Sequence, residues 1–106
     1  MYDDRAFEAG WNAGVMADGE PDAFEFSQYK DEYREGFVFG YGYALGFRMA
    51  SSWFGVSESG RMVCKYSLWG AEALGRKHFK DPALLQVYLD GYNSEMESEA
   101  EDDQDD

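Results

Sequence analysis

The sequence predicts an all-α fold: a compact bundle of about four helices, with a central helix rich in glycine and aromatic residues and a disordered acidic tail. Large apolar residues recur at i, i+4 more often than at i, i+2. Capping residues and breakers stand at the ends of those runs. No two strand-like runs are present to pair with each other. With 106 residues, 44% of them hydrophobic and 18% aromatic, the chain can bury one core without disulfide or metal support. Residues 1–96 are therefore expected to form a single domain and residues 97–106 the tail.

Asp3 or Asp4 caps a first helix running to about Met16, with Phe7, Trp11 and Val15 on one face. The stretch "ADGEPDAFEFS" breaks it with Gly19 and Pro21, and offers Phe24 and Phe26 as anchors for the loop. Ser27 is the expected cap of a long second helix from about Gln28 to Phe54, stopped by Gly55. Residues 60–69 fit two patterns. Met62, Cys64, Tyr66 and Leu68 alternate like a strand, whereas Met62, Tyr66, Trp69 and Ala73 recur like a helix ending before Gly75. Helix is preferred because no partner strand exists. Asp81 as cap and Pro82 at the first helical position open the fourth helix, with Leu85, Tyr88, Leu89 and Tyr92 along one face. Beyond Met96, "ESEAEDDQDD" has no apolar residue except Ala100 and is expected to lack regular structure.

The pattern aromatic-x-x-Gly-aromatic occurs five times: Phe7 to Trp11, Tyr33 to Phe37, Phe37 to Tyr41, Tyr43 to Phe47 and Tyr88 to Tyr92. On a helix the two rings share a face, and the glycine beside them is a notch for a neighbouring helix. Each internal glycine costs about 1 kcal/mol against alanine, and burial of a ring returns roughly 1.5–3 kcal/mol. Packing therefore wins, provided that the rings are buried. The uncharged run 36–47 is shorter than the roughly 20 residues needed to span a bilayer, so no membrane association is expected.

The formal net charge is −13. Residues 1–35 carry ten acids and three bases, residues 36–80 two acids and six bases, and residues 81–106 ten acids and no base. Such a chain does not bind phosphate backbones through clustered cations, so no direct DNA binding is expected. The expected partner is a basic protein surface, and the candidate contact residues are Asp3, Asp4, Glu8, Asp18, Glu20, Asp22, Glu25, Asp31, Glu32, Glu35, Glu95, Glu97, Glu99, Glu101, Asp102 and Asp103. The single cysteine, Cys64, closes no intrachain bridge, and the start lacks the pattern of a cleaved leader. A cytoplasmic setting is expected.

Two resemblances bear on function. "AGWNAG", with Gly10, Trp11, Ala13 and Gly14, followed by "YREGF", with Tyr33, Gly36 and Phe37, resembles the two-helix pattern of the ribosome modulation factor family over residues 6–47. Those small basic proteins bind ribosomal RNA and hold ribosomes inactive. The resemblance implies the same helix pairing, with Arg61, Lys65, Arg76, Lys77 and Lys80 as the cations for RNA, or the acidic face for basic ribosomal proteins. Residues 1–35 are acidic where that family is basic, which separates the pairing from the RNA binding. The composition is similar to phage-type DNA mimics that act as anti-restriction or anti-CRISPR inhibitors.

Catalytic signatures are weak. Cys64 and His78 are the one nucleophile and base pair by residue type, and nothing in their spacing brings them together. Asp18, Glu20 and Asp22 alternate like calcium ligands without the glycine and closing glutamate of the twelve-residue loop. No Cys-x-x-Cys, paired histidines or Walker-type loop occurs. The expected function is non-catalytic and cofactor-free: occupation of another protein's nucleic-acid-binding surface. A ribosome-associated regulator is the alternative, and a glycine and aromatic seam joining identical subunits is a third arrangement.

Overall fold

The structure is a computed structural model that describes the backbone of residues 1–104 and the side chains of residues 1–100. Among the described residues six helices follow one another: α1 Asp4–Met16, α2 Ala23–Ser27, α3 Asp31–Arg48, α4 Ser52–Lys65, α5 Ala71–His78 and α6 Pro82–Gln104. No strand occurs among the described residues, so residues 60–69 resolve as the end of α4 and the turn after it. α3 packs against both α1 and α4, and α4 packs against α6. The glycine-rich helix is thus central, as its nearly all-round apolar surface requires.

Six helices replace the expected four because residues 23–27 of the expected loop form α2, and because the chain breaks after Arg48 and after Lys65 rather than at Gly55, giving three helices where two were expected. α3 ends in a Schellman turn: the Ser51 N–H donates to Gly46 O at 2.8 Å and the Ala50 N–H to Phe47 O at 3.2 Å. α4 ends identically, with the Leu68 N–H on Val63 O at 3.0 Å and the Ser67 N–H on Cys64 O at 3.1 Å. The residues that turn the chain, Ala50 at φ 53° and Ser67 at φ 56°, occupy the left-handed region that normally calls for glycine. Gly55 and Gly75, expected as stops, lie buried inside α4 and α5. Ser27 closes α2 instead of capping α3, whose N-cap is Lys30 without a side-chain cap bond.

Other boundaries follow the local chemistry. The Asp3 carboxylate accepts from the Ala6 N–H at 3.0 Å and starts α1. Asp81 accepts from the Ala83 N–H at 2.9 Å at the start of α6. α6 continues to Gln104, so the chain after Met96 is helical as far as that residue; Asp105 and Asp106 lie outside the described residues. Of the two loop anchors, Phe26 is buried at 2% exposure and Phe24 is exposed at 76%. Phe26 meets Phe37 and Tyr66 edge-on, at 5.3 and 5.0 Å, while the Tyr66 hydroxyl donates to Pro21 O.

The helices meet backbone to backbone at their glycines. A Cβ placed on Gly10 would lie 2.0 Å from Tyr33 O, and one on Gly36 would lie 2.1 Å from Phe7 O. Phe7 and Tyr33 each stand three residues before those glycines, so the contact is reciprocal. α4 and α6 repeat it: a Cβ on Gly60 would lie 2.0 Å from Tyr88 O, and one on Gly91 would lie 2.1 Å from Ser57 O. Between the two pairs, Gly42 and Gly55 each lie against the other's carbonyl. Within residues 6–47, α1 thus packs on α3.

Replacing Gly36 or Gly60 by alanine gains about 1 kcal/mol of helix propensity but drives a methyl into an opposing carbonyl. Each substitution is expected to lower the unfolding free energy by about 3 kcal/mol or more in urea titration. Gly19→Ala, where nothing lies within 4 Å, stays within about 1 kcal/mol of wild type. Ala50→Gly relieves the left-handed cap and is expected to raise stability by about 0.5–1 kcal/mol in the same titration.

Candidate functional site

The expected acidic residues divide into those spent inside the fold and those left outward. Asp3 pairs with Lys30 at 2.7 Å and Asp31 with Arg34. Glu20 pairs with Arg61 at 2.7 Å and with Lys65 at 3.4 Å, while Glu95 reaches the same Arg61 at 3.6 Å. Glu58 completes the Arg61 cluster at 2.6 Å. One guanidinium therefore gathers the loop after α1, α4 and α6. Burial pushes the Glu20 carboxyl up, but Arg61 and Lys65 outweigh it and hold it below its ordinary value.

Asp22 caps α2, Glu32 accepts from the Asp3 N–H, and Glu99 accepts from the Cys64 thiol at 3.2 Å. Asp4, Glu8, Asp18, Glu25 and Glu97 are exposed and make no ion pair. The side chains of Glu101, Asp102 and Asp103 lie outside the described residues. Among the described residues, Arg5, Arg48 and Lys80 are the cations outside any ion pair. The outward charge is thus predominantly negative. The cations named for RNA contact are largely engaged: Arg61 and Lys65 as above, Arg76 on Glu72, Lys77 on Glu35, and Lys80 on Arg76 O.

Glu35 departs from the expected outward placement. It is buried at 6% exposure, and its Oε2 accepts from Lys77 at 2.8 Å and lies 2.7 Å from His78 Nε2. Glu35 and Phe39 stand one helical turn apart, and Phe39 stacks on the His78 ring at 4.0 Å between centroids. Phe7 lies nearly parallel to the same ring at 5.7 Å. The link ties α5 to α3 and α1. Burial raises the Glu35 carboxyl, but the hydrogen bonds from His78 and Lys77 overcome it and leave the carboxyl below its ordinary value.

Beside this link is a cavity of 560 Å³ walled by Trp11, Phe39, Tyr43, Phe47, His78 and Phe79. Its remaining lining is small, from Gly42 and Gly46 on α3 to Gly55 and Ser59 on α4. Tyr43 and Phe47 are 64% and 82% exposed, which opens the space outward. Sequence reasoning placed these rings in the core and missed the cavity. The Tyr43 to Phe47 unit and the small residues of "ASSWFG" line it, but neither marks a cavity until the fold brings them together.

The reactive groups do not assemble. Cys64 faces Glu99 while His78 is engaged by Glu35, so the nucleophile and base stand apart. Burial, with Glu99 and Glu95 nearby, pushes the Cys64 thiol up to about 12. No group of three or more His, Cys, Asp or Glu that could hold a metal ion occurs among the described residues. No helix among them is long and apolar enough to cross a membrane.

The Glu35 link predicts a pH dependence. A carboxyl whose folded-state pKa is depressed contributes stability above its ordinary value of 4.5, and loses it as the pH falls through the lower folded value. Glu35→Gln is expected to cost about 2–4 kcal/mol at pH 7. Urea midpoints of wild type and variant should converge as the pH drops below that ordinary value.

No curated protein and no solved structure matches the chain. A family description does match, over residues 3–94, from the cap of α1 into the exposed part of α6. Since that span covers most of the molecule, the chain belongs to the family described as Protein of unknown function (DUF2623).

Proposed function

We propose that this chain is a non-catalytic binding protein that occupies the basic, nucleic-acid-binding surface of another protein, as inhibitors of the anti-restriction or anti-CRISPR type do. The supporting observation is the length of α6. Glu95, Glu97 and Glu99 recur at every second residue, and at about 1.5 Å of rise per residue they place roughly one charge per 3 Å of helix axis. One strand of DNA carries about one per 3.4 Å. A groove shaped for phosphates therefore meets a comparable linear charge, fixed on a helix whose ordering cost is met by folding.

Arg61 extends the track. By holding Glu20 and Glu95 together, it sets the loop bearing Asp18 and Asp22 beside α6. The link consumes one positive charge and gathers surface that remains net negative. Such a field speeds encounter with a basic partner and is screened by salt.

The test is affinity capture from a cell lysate at low salt, followed by release with either a salt gradient or duplex DNA. A partner released by both, and bound about tenfold or more weakly by a chain ending at Met96, fits the proposal. A partner that stays bound in excess duplex DNA, or binds the shortened chain equally well, overturns it.

A further inference from the structure

We infer that the cavity between α1, α3 and α4 is a binding site for a neutral, planar aromatic small molecule bearing one hydrogen-bond donor. This inference is independent of the acidic surface. At 560 Å³ the cavity falls within the roughly 300–1,000 Å³ of small-molecule sites. Its walls are rings, which favour a flat ligand that can stack or meet them edge-on. The small floor residues Gly42, Gly55 and Ser59 leave a base against which such a ligand can lie.

Charge excludes the other ligand classes. No Asp, Glu, Lys or Arg lines the cavity, so an ionised ligand would be desolvated without a partner. The chain's net charge of −13 adds repulsion for anions. A neutral molecule meets neither penalty.

His78 supplies the polar contact. Its faces are covered by Phe39 and Phe7, and Nε2 is held by Glu35, so the ring offers its remaining edge. His78 lines the cavity, and its one side-chain hydrogen bond among the described residues is through Nε2, which leaves Nδ1 unengaged. In the neutral ring, with the Nε2 proton directed at the Glu35 carboxylate, Nδ1 is the acceptor. The complementary ligand group is therefore a donor, such as a phenolic hydroxyl or a ring N–H.

The experiment uses the full chain and the neutral dye Nile red, read by fluorescence, with 2-naphthol and 2-methoxynaphthalene as competitors of the same ring size. Saturable one-to-one dye binding is expected, weakened by Phe47→Glu at the exposed mouth. 2-Naphthol should displace the dye about five- to tenfold better than the ether, and His78→Leu or His78→Phe, which carry no acceptor, should erase that preference without abolishing dye binding. Circular dichroism identifies any variant that has not folded, and the remaining His78 variant then decides. Absence of saturable binding, or equal displacement by the two competitors, overturns the proposal. So does dye binding that tracks self-association in sedimentation, which would make a second copy the occupant.

Discussion

Everything in this fold rests on helix backbones approaching closely enough for a carbonyl oxygen to occupy the place of a side chain. Gly10 with Tyr33 and Gly36 with Phe7 set that distance for α1 and α3, and Gly60 with Tyr88 and Gly91 with Ser57 set it for α4 and α6. The same offset of three residues recurs in both pairs. Contacts between Cα–H and carbonyl oxygen accompany such approaches, but the larger gain is that flanking rings close over the seam. Phe37, Tyr88 and Phe26 are buried because the backbones beneath them are close. The molecule is two helical pairs of like construction, joined where Gly42 meets Gly55.

Much of this was legible in the sequence, and the losses have physical causes. Asp3 and Asp81 announced their helices because a cap acts over three residues and needs no tertiary partner. The glycine and aromatic units marked the seams, though not which helix each would meet. The break at Ala50 was invisible because a residue other than glycine carries the left-handed turn, held there by the packing on either side. Ser67 hid the end of α4 similarly. Gly55 and Gly75 misled in the opposite sense: they are glycines for proximity rather than for chain reversal. The cavity has no local signature, since it depends on Tyr43 and Phe47 standing clear of the core instead of filling it. Glu35 resembled its acidic neighbours until α5 brought His78 and Lys77 to it across more than forty residues of chain.

The ionic layout separates two roles that composition merges. Arg61, Lys65 and Lys77 are spent on fixing loops and short helices to the bundle, with Glu20, Glu58, Glu95 and Glu35 as their partners. What remains outside is acid in excess, on α1, around α2 and along the last turns of α6. Internal pairing thus supports the rigid body while depriving the surface of the cations that would mask it.

The thiol of Cys64 on α4 is set against the carboxylate of Glu99 on α6 at 3.2 Å. Burial, and after it Glu99 and Glu95, lowers the thiolate fraction below that of a free cysteine, so part of the sulfur's nucleophilicity depends on whether the helix end stays in place. Alkylation at this sulfur is consequently slower while Glu99 lies against it and faster when a partner lifts the last turns away.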